Sequence, residues 1–254
     1  MNKSNLYFLI AGEPSGDIHG ANLIKSIKLI DPGSSFVGHG GDAMKKEGMT
    51  IIEHVNNLAV MGFFEVLKQY PRLLSIMNKT VKHINELKPD RLILIDYPGF
   101  NLRLANRLAG LNISITYFIL PQVWAWKEKR IDIMKSTCDQ LISIIPFELE
   151  WYKERGISID FVGHPFKDKE KVGISTKAFF KKHKILPGSV VILLLPGSRQ
   201  QEIDKHIKIF IEVVKIMKEQ IPDIKFVLGK SSNINLPILP DYISIEENSN
   251  IGFN

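Results

Sequence analysis

Short apolar runs alternate with amphipathic stretches along most of this chain. Leu6–Ala11 reads as a strand, followed by helical spacing from about Ile18 to Ile30 that Asp31-Pro32-Gly33 closes. Residues 35–38 form a second short strand, Gly38-His39-Gly40-Gly41 a turn, and 42–48 a short helix, with 50–53 as a further strand. Residues 62–87 read as two helical segments broken near Pro71. Arg91–Ile95 is a purely apolar strand after its first residue; Tyr97-Pro98-Gly99-Phe100 turns it into a helix from about Asn101 to Gly110. Strands at 114–118, 140–144 and 160–162 complete the set. Crossovers long enough to hold helices predict a parallel sheet covered on both faces.

The pattern restarts after a lysine-rich stretch. Residues 190–195 are the most apolar strand of the chain, leading through Pro196-Gly197-Ser198-Arg199 into a helix over 202–220 and a strand at 225–228. The expected organisation is an α/β domain over 1–165, a linker over 166–185 and a second α/β domain over 186–254. With two convincing strands, that second domain reads as incomplete.

Composition narrows the class. Of 254 residues, 44% are hydrophobic and 24% charged, as in a globular protein, and the single Cys138 excludes an intrachain disulfide. The first apolar run is too short for a signal peptide core or a membrane span. The net charge is +6, and residues 167–184 supply most of it, seven lysines against Asp168 and Glu170. That stretch lacks arginine forks and interleaved stacking aromatics, so nucleic acid is not the expected partner. A solvated surface, or attraction to anionic lipid or phosphate, fits it better.

Four strand-to-helix turns carry candidate chemistry, since ligands of open parallel sheets bind beyond the carboxyl ends of the strands. AGEPSGD (11–17) is neither a dinucleotide nor a P-loop fingerprint. Its glycines allow close backbone approach, Ser15 and Gly16 suit a hydroxyl-bearing partner, and the acids Glu13 and Asp17 would repel a phosphate. Glu13 and Asp17 are candidate catalytic acids, with a helix cap or first-turn acid the equal alternative for Asp17. In ILIDYPGFN (93–101), Asp96 stands five positions before the expected helix, too far for a simple cap, and reads as a general base. In PQVWAWKEKR (121–130), Trp124 and Trp126 cannot share a helix face; they either pack in the core or line a sugar or acyl site. In LLPGSRQQE (194–202), Gly197, Ser198, Arg199 and Glu202 form a candidate diphosphate cradle, with Arg199 as bidentate donor and Glu202 starting the helix. Acids in one unit and a phosphate grip in the other suggest group transfer from a nucleotide-activated donor.

Seven segments in the same order, AGEPSGD, LAVMGFFEVL (58–67), KPDRLILIDYPGFN, LPQVWAWKEKRI, PFE (146–148), FVGHP (161–165) and LLPGSR, together resemble the lipid-A-disaccharide synthases, bacterial inverting glycosyltransferases. The resemblance implies two Rossmann-like domains of the GT-B type, with no cofactor and no metal. It implies transfer from UDP-2,3-diacylglucosamine to 2,3-diacylglucosamine 1-phosphate with release of UDP, at the cytoplasmic face of a Gram-negative inner membrane. The essential aspartate and arginine of the family match Asp96 and Arg199, and Asn101, within the matched aspartate motif, is an expected substrate contact. Where the family turn often carries a second acid, this chain has Gly99. LAVMGFFEVL, with Met61, Phe63 and Phe64, is either buried core or an exposed lip for acyl chains and the membrane surface.

Family members run considerably longer and carry a glycine-rich donor-nucleotide segment that PDYISIEENSNIGFN does not supply. The expectation is therefore a truncated chain, and a catalytically inactive acceptor-binding remnant is the alternative to an active transferase. A complementary C-terminal fragment or a homo-oligomer would be its partner. A nucleotide-sugar epimerase is a third reading, weakened by the apolar segments.

Overall fold

The computed structural model describes residues 4–58, 63–168, 175–198, 200–231 and 234–247, the side chains of 63–68, 166 and 168 excepted. The chain divides into two units, Met1–Asp168 and Lys169–Asn254. The first runs β1 (Leu6–Ala11), α1 (Pro14–Ile30), β2 (Ser35–Gly40), α2 (Asp42–Lys46), β3 (Thr50–His54), α3 (Val55–Leu58), α4 (Phe63–Leu87), β4 (Arg91–Ile95) and α5 (Pro98–Arg107). It continues through β5 (Ser114–Phe118), α6 (Arg130–Thr137), β6 (Gln140–Ser143), α7 (Glu148–Lys153) and β7 (Asp160–Phe161). All seven strands are parallel, in the order β3-β2-β1-β4-β5-β6-β7. The order reverses between β1 and β4, which makes that boundary the switch point of a doubly wound sheet.

Alternation along each strand divides the core into two layers. Phe8, Ile10, Leu92, Leu94 and Tyr117 pack with Ile84, Leu104 and Leu108 on one side. Leu9, Ala11, Ile93 and Ile95 pack with Ile24, Met44 and Val55 on the other. The break expected at Pro71 does not occur, because α4 is one helix with the proline inside it. Proline removes one backbone bond, but the buried stripe Ile76, Met77, Thr80 and Ile84 continues at helical spacing and carries the helix. Thr80 donates to Ile76 O at 2.7 Å and so accepts from His39 Nε2 at 3.0 Å, tying β2 to α4. Burial first, then His83, pushes the His39 pKa down to about 3, so this imidazole is neutral.

The second unit contains α8 (Thr176–Lys182), β8 (Val191–Leu194), α9 (Gln200–Gln220), β9 (Lys225–Gly229) and β10 (Ile243–Glu246). Its parallel sheet has the order β10-β9-β8. Ile203, Ile207 and Val214 of α9 pack on Leu194, Phe226 and Leu228. Two features differ from the sequence reading. ISIE (243–246) is a third strand, held by pairing with β9 rather than by any strong pattern of its own. Within 166–185 the chain forms α8, whose Ser175 cap accepts from Ala178 N at 3.3 Å. Lys182 and His183 meet the buried Glu246 carboxylate at 2.8 and 2.9 Å, fastening α8 to β10.

Candidate active site at the strand-order switch point

Register brings the first two candidate turns together. Ala11 pairs with Ile95, so Gly12-Glu13 and Asp96-Tyr97 leave the sheet side by side at the carboxyl edge. The packing there is close. A Cβ on Gly12 would lie 2.2 Å from the Tyr97 ring, so only glycine admits that ring. Tyr97 also donates its hydroxyl to Leu58 O at 2.7 Å. Its pKa is pushed up to about 12 by burial and then by Glu13, so the phenol stays protonated and keeps this bond.

Asp96 and Tyr97 are both left-handed, at φ 46° and 49°. Two successive non-glycine residues in that region are unusual and need support from around them. The support is a set of bonds to the Asp96 backbone. Its N–H donates to Phe118 O at 3.0 Å, and its carbonyl accepts from Asn101 Nδ2 at 2.7 Å and Tyr117 OH at 2.8 Å. Burial, with Glu13 adding to it, holds the Asp96 carboxyl above the usual range, while the Tyr97 N–H opposes the shift. α5 starts at Pro98, not Asn101, so Asp96 lies closer to the helix than the sequence suggests. The N-cap position is Tyr97, and it makes no side-chain cap bond.

The other expected site residues divide between this edge and the scaffold. Glu13 is the N-cap residue of α1 and is half-buried; Ser15 is exposed on the first turn, and Gly16 packs against Ala11 and Ile95. Asp17, expected among the catalytic acids, is corrected to a capping residue: it belongs to the same turn but is buried and faces α2. Its carboxylate accepts from the N–H groups of Gly41, Ala43 and Met44 at 2.7, 3.0 and 3.0 Å, capping a helix other than its own. Asn101, expected among substrate contacts, is corrected to a loop-holding residue. It has no exposed surface, and its amide grips the Asp96 and Ile95 carbonyls from behind.

Trp124 and Trp126 lie in an irregular turn after β5. Trp124 donates to Glu148 Oε1 at 2.9 Å and meets Phe147 edge-on at 5.0 Å. Trp126 is 58% exposed, with Lys127 Nζ at 4.4 Å and Arg130 Cζ at 5.1 Å over its ring. Beside Tyr97, a cleft of about 420 Å³ opens between α4 and α5, lined by Tyr70, Leu73, Met77, Phe100 and Arg103.

In the second unit, Gly197 takes φ 147°, and a Cβ there would meet Glu202 Cβ at 2.5 Å. Glu202 accepts from Ser198 N at 2.9 Å, so one backbone donor of the expected diphosphate cradle is already engaged. Arg199 and Met61 lie outside the described residues, as do the side chains of Phe63 and Phe64 at the start of α4. Tyr97, Tyr117 and Glu148 were not expected at the site. Gly12 beside an Asp-Tyr strand end hinted at the first, and PFE contains the last, but nothing local marked Tyr117.

Comparison with known proteins agrees with this architecture. Similar solved folds include a UDP-GlcNAc 2-epimerase from Neisseria meningitidis bound to UDP-GlcNAc, with TM-score 0.62, 11% identity and coverage of 98% of this chain and 74% of that one. The glycotransferase of kitacinnamycin gives TM-score 0.61 and 12% identity over 96% of this chain and 71% of that one. These are GT-B-type folds. Among curated relatives, the lipid-A-disaccharide synthase of Coxiella burnetii (strain Dugway 5J108-111) is 34% identical over 245 residues, 96% of this chain and 65% of that one. That of Trichlorobacter lovleyi is 35% identical over 227 residues, 89% and 59%. The chain thus spans about 65% or less of the length of these relatives. The family model described as lipid-A-disaccharide synthetase matches residues 7–242, and by that match and those identities the chain belongs to this family.

Proposed function

We propose that the first unit binds the sugar acceptor 2,3-diacylglucosamine 1-phosphate at the switch point, for glycosylation by UDP-2,3-diacylglucosamine. In this reaction the acceptor's primary hydroxyl attacks the donor's anomeric carbon. The bond to UDP breaks, a glycosidic bond forms with inversion, and the hydroxyl proton passes to Asp96. The observation that carries the reading is the Asp96 carboxyl, half-buried at the switch point and raised in pKa by burial and Glu13. A carboxylate is ordinarily too weak a base for this task, and the shift moves it in the useful direction. Asn101 and Tyr117 hold the loop, while Glu13 and Ser15 are offered to the sugar hydroxyls. Arg199, with Gly197 and Ser198, would meet the charge that develops on the departing diphosphate.

The cleft between α4 and α5 supports an acylated acceptor, with Leu73, Met77 and Phe100 as an apolar lining and Arg103 as a cation at the rim. Residues 58–67 would extend that surface toward lipid. No helix among the described residues is long and apolar enough to cross a membrane. Peripheral attachment at the cytoplasmic face of the inner membrane is the proposed location, aided by the lysines of 167–184.

Asp96→Asn tests the assignment. It should leave the fold and acceptor binding intact while turnover falls by about 10²–10⁴. Near-full turnover in the folded variant rejects Asp96 as the base. Calorimetry of Arg199→Lys against UDP tests the donor side separately; unchanged affinity rejects its phosphate role.

A further inference from the structure

One short helix holds the tryptophan loop at three points. From α7 and the residues just after it, Tyr152 donates to Pro121 O at 3.4 Å, Glu148 accepts from Trp124 Nε1 at 2.9 Å, and Arg155 Nε donates to Glu128 Oε1 at 2.6 Å. Glu148 is the central contact. Its side chain is 1% exposed, and its second oxygen accepts from the hydroxyl of Ser143, itself fully buried. Ser143 Oγ in turn accepts from Ile145 N at 3.0 Å. Burying a carboxylate is costly unless its oxygens are bonded. Core filling alone needs no charge here, and both oxygens are spent on fixed donors, one of them the loop itself.

The loop has reason to need holding. Ile119 at its start has φ 65° and Lys127 near its end has φ 58°, both left-handed and both non-glycine. For the β-branched Ile119 that conformation is a strained outlier. Phe118 pairs with Ile95, so the loop leaves the sheet beside Asp96. Released from Glu148, the strained segment would relax and carry Trp126, Lys127 and Arg130 away from that edge.

We infer that Glu148 is a positioning residue, which fixes Trp124 and thereby sets the exposed Trp126 with its two cations beside Asp96 for the acceptor. The inference rests on the acceptor reading above. In the full chain, the Trp124 indole N–H resonance should move in Glu148→Gln, and acrylamide should quench the tryptophans more strongly, while circular dichroism keeps the native spectrum. Affinity for detergent-dispersed 2,3-diacylglucosamine 1-phosphate should fall about tenfold, the scale of one charge-assisted hydrogen bond. Trp124→Phe, which removes the donor and keeps an aromatic ring, should lose a similar factor, and the double variant little more. Glu150→Gln, exposed on the same helix, is the control and should change nothing. An unmoved indole signal, or unchanged affinity in both folded variants, overturns the inference. If wild type fails to bind the acceptor, the functional reading falls instead, and the indole and quenching signals decide whether Glu148 holds the loop. If Glu148→Gln does not fold, Trp124→Phe decides.

Discussion

The β4–α5 turn of the first unit and the β8–α9 turn of the second are both strand-to-helix turns at a sheet's carboxyl edge, but they use their acids oppositely. At β4–α5 the left-handed backbone is carried by Asp96 and Tyr97, and Asn101, Tyr117 and Phe118 bond the Asp96 backbone. The carboxyl is thus set at the edge with its pKa raised. At β8–α9 a glycine takes the unusual conformation, and the nearby acid, Glu202, is bonded to the turn's own Ser198 N–H. The first turn is held by the surrounding sheet through the backbone of its acid, not through the carboxyl. The second is held by its own helix and uses its acid for capping.

Substitutions can break that contrast. The largest effect is expected at Gly12→Ala, since the new Cβ would sit 2.2 Å from the Tyr97 ring. Displacing the ring breaks its bond to Leu58 O and should cost about 3 kcal/mol, the upper end for overpacking. Denaturant melts that stay within experimental error of wild type would show that the turn does not depend on this contact.

Glu202→Ala should cost about 1 kcal/mol, as loss of a helix-capping bond does, and should act on the second unit. Amide exchange that stays slow at Ser198 in the variant would argue against the capping role.

A smaller effect, opposite in sign, is expected at Asp96→Asn. A carboxyl whose pKa is higher folded than unfolded binds more protons in the native state. Stability therefore falls as pH rises from the unfolded value, near 3.8, through the raised folded one. Removing the charge should make the variant more stable than wild type at neutral pH and flatten this part of the profile. A stability loss at neutral pH would mean that the charge supports the turn. Gain of stability with loss of turnover would mark Asp96 as a functional rather than a structural acid.

The smallest effect is expected at Gly99→Asp, which supplies the second acid that the resemblance leads one to expect in this turn. Gly99 lies at the start of α5, and a Cβ there meets nothing within 4 Å. An acid in the first turn of a helix should stabilise by a few tenths of a kcal/mol. A clear destabilisation would show that the open space is needed.

Much of the first unit was legible in sequence because period-2 apolar runs and glycine- or proline-marked turns are local signals. All seven of its strands lie within a residue or two of their expected bounds, and Asp96 stood out as an acid just after an apolar strand. Less was legible where a neighbour decides. Helix starts at Pro14 and Pro98 came earlier than expected, since the following apolar period marks a helix body and not its first turn. The helix through Pro71 and the strand 243–246 depend on packing and pairing partners elsewhere in the chain.

By itself, the sequence determined the parallel α/β architecture, the turns that carry acids and glycines, and the family. Its residue spacing could not reveal who bonds to whom across strands. Asp17 capping α2, Asn101 holding Asp96 from behind, and Glu148 anchoring Trp124 join residues that are distant in the chain or point inward. The strand order β3-β2-β1-β4 and the pairing of Ala11 with Ile95 bring Glu13 close enough to Asp96 to raise its pKa. Only the tertiary structure decided that, because Coulomb interaction and burial depend on distance and surroundings, not on order along the chain.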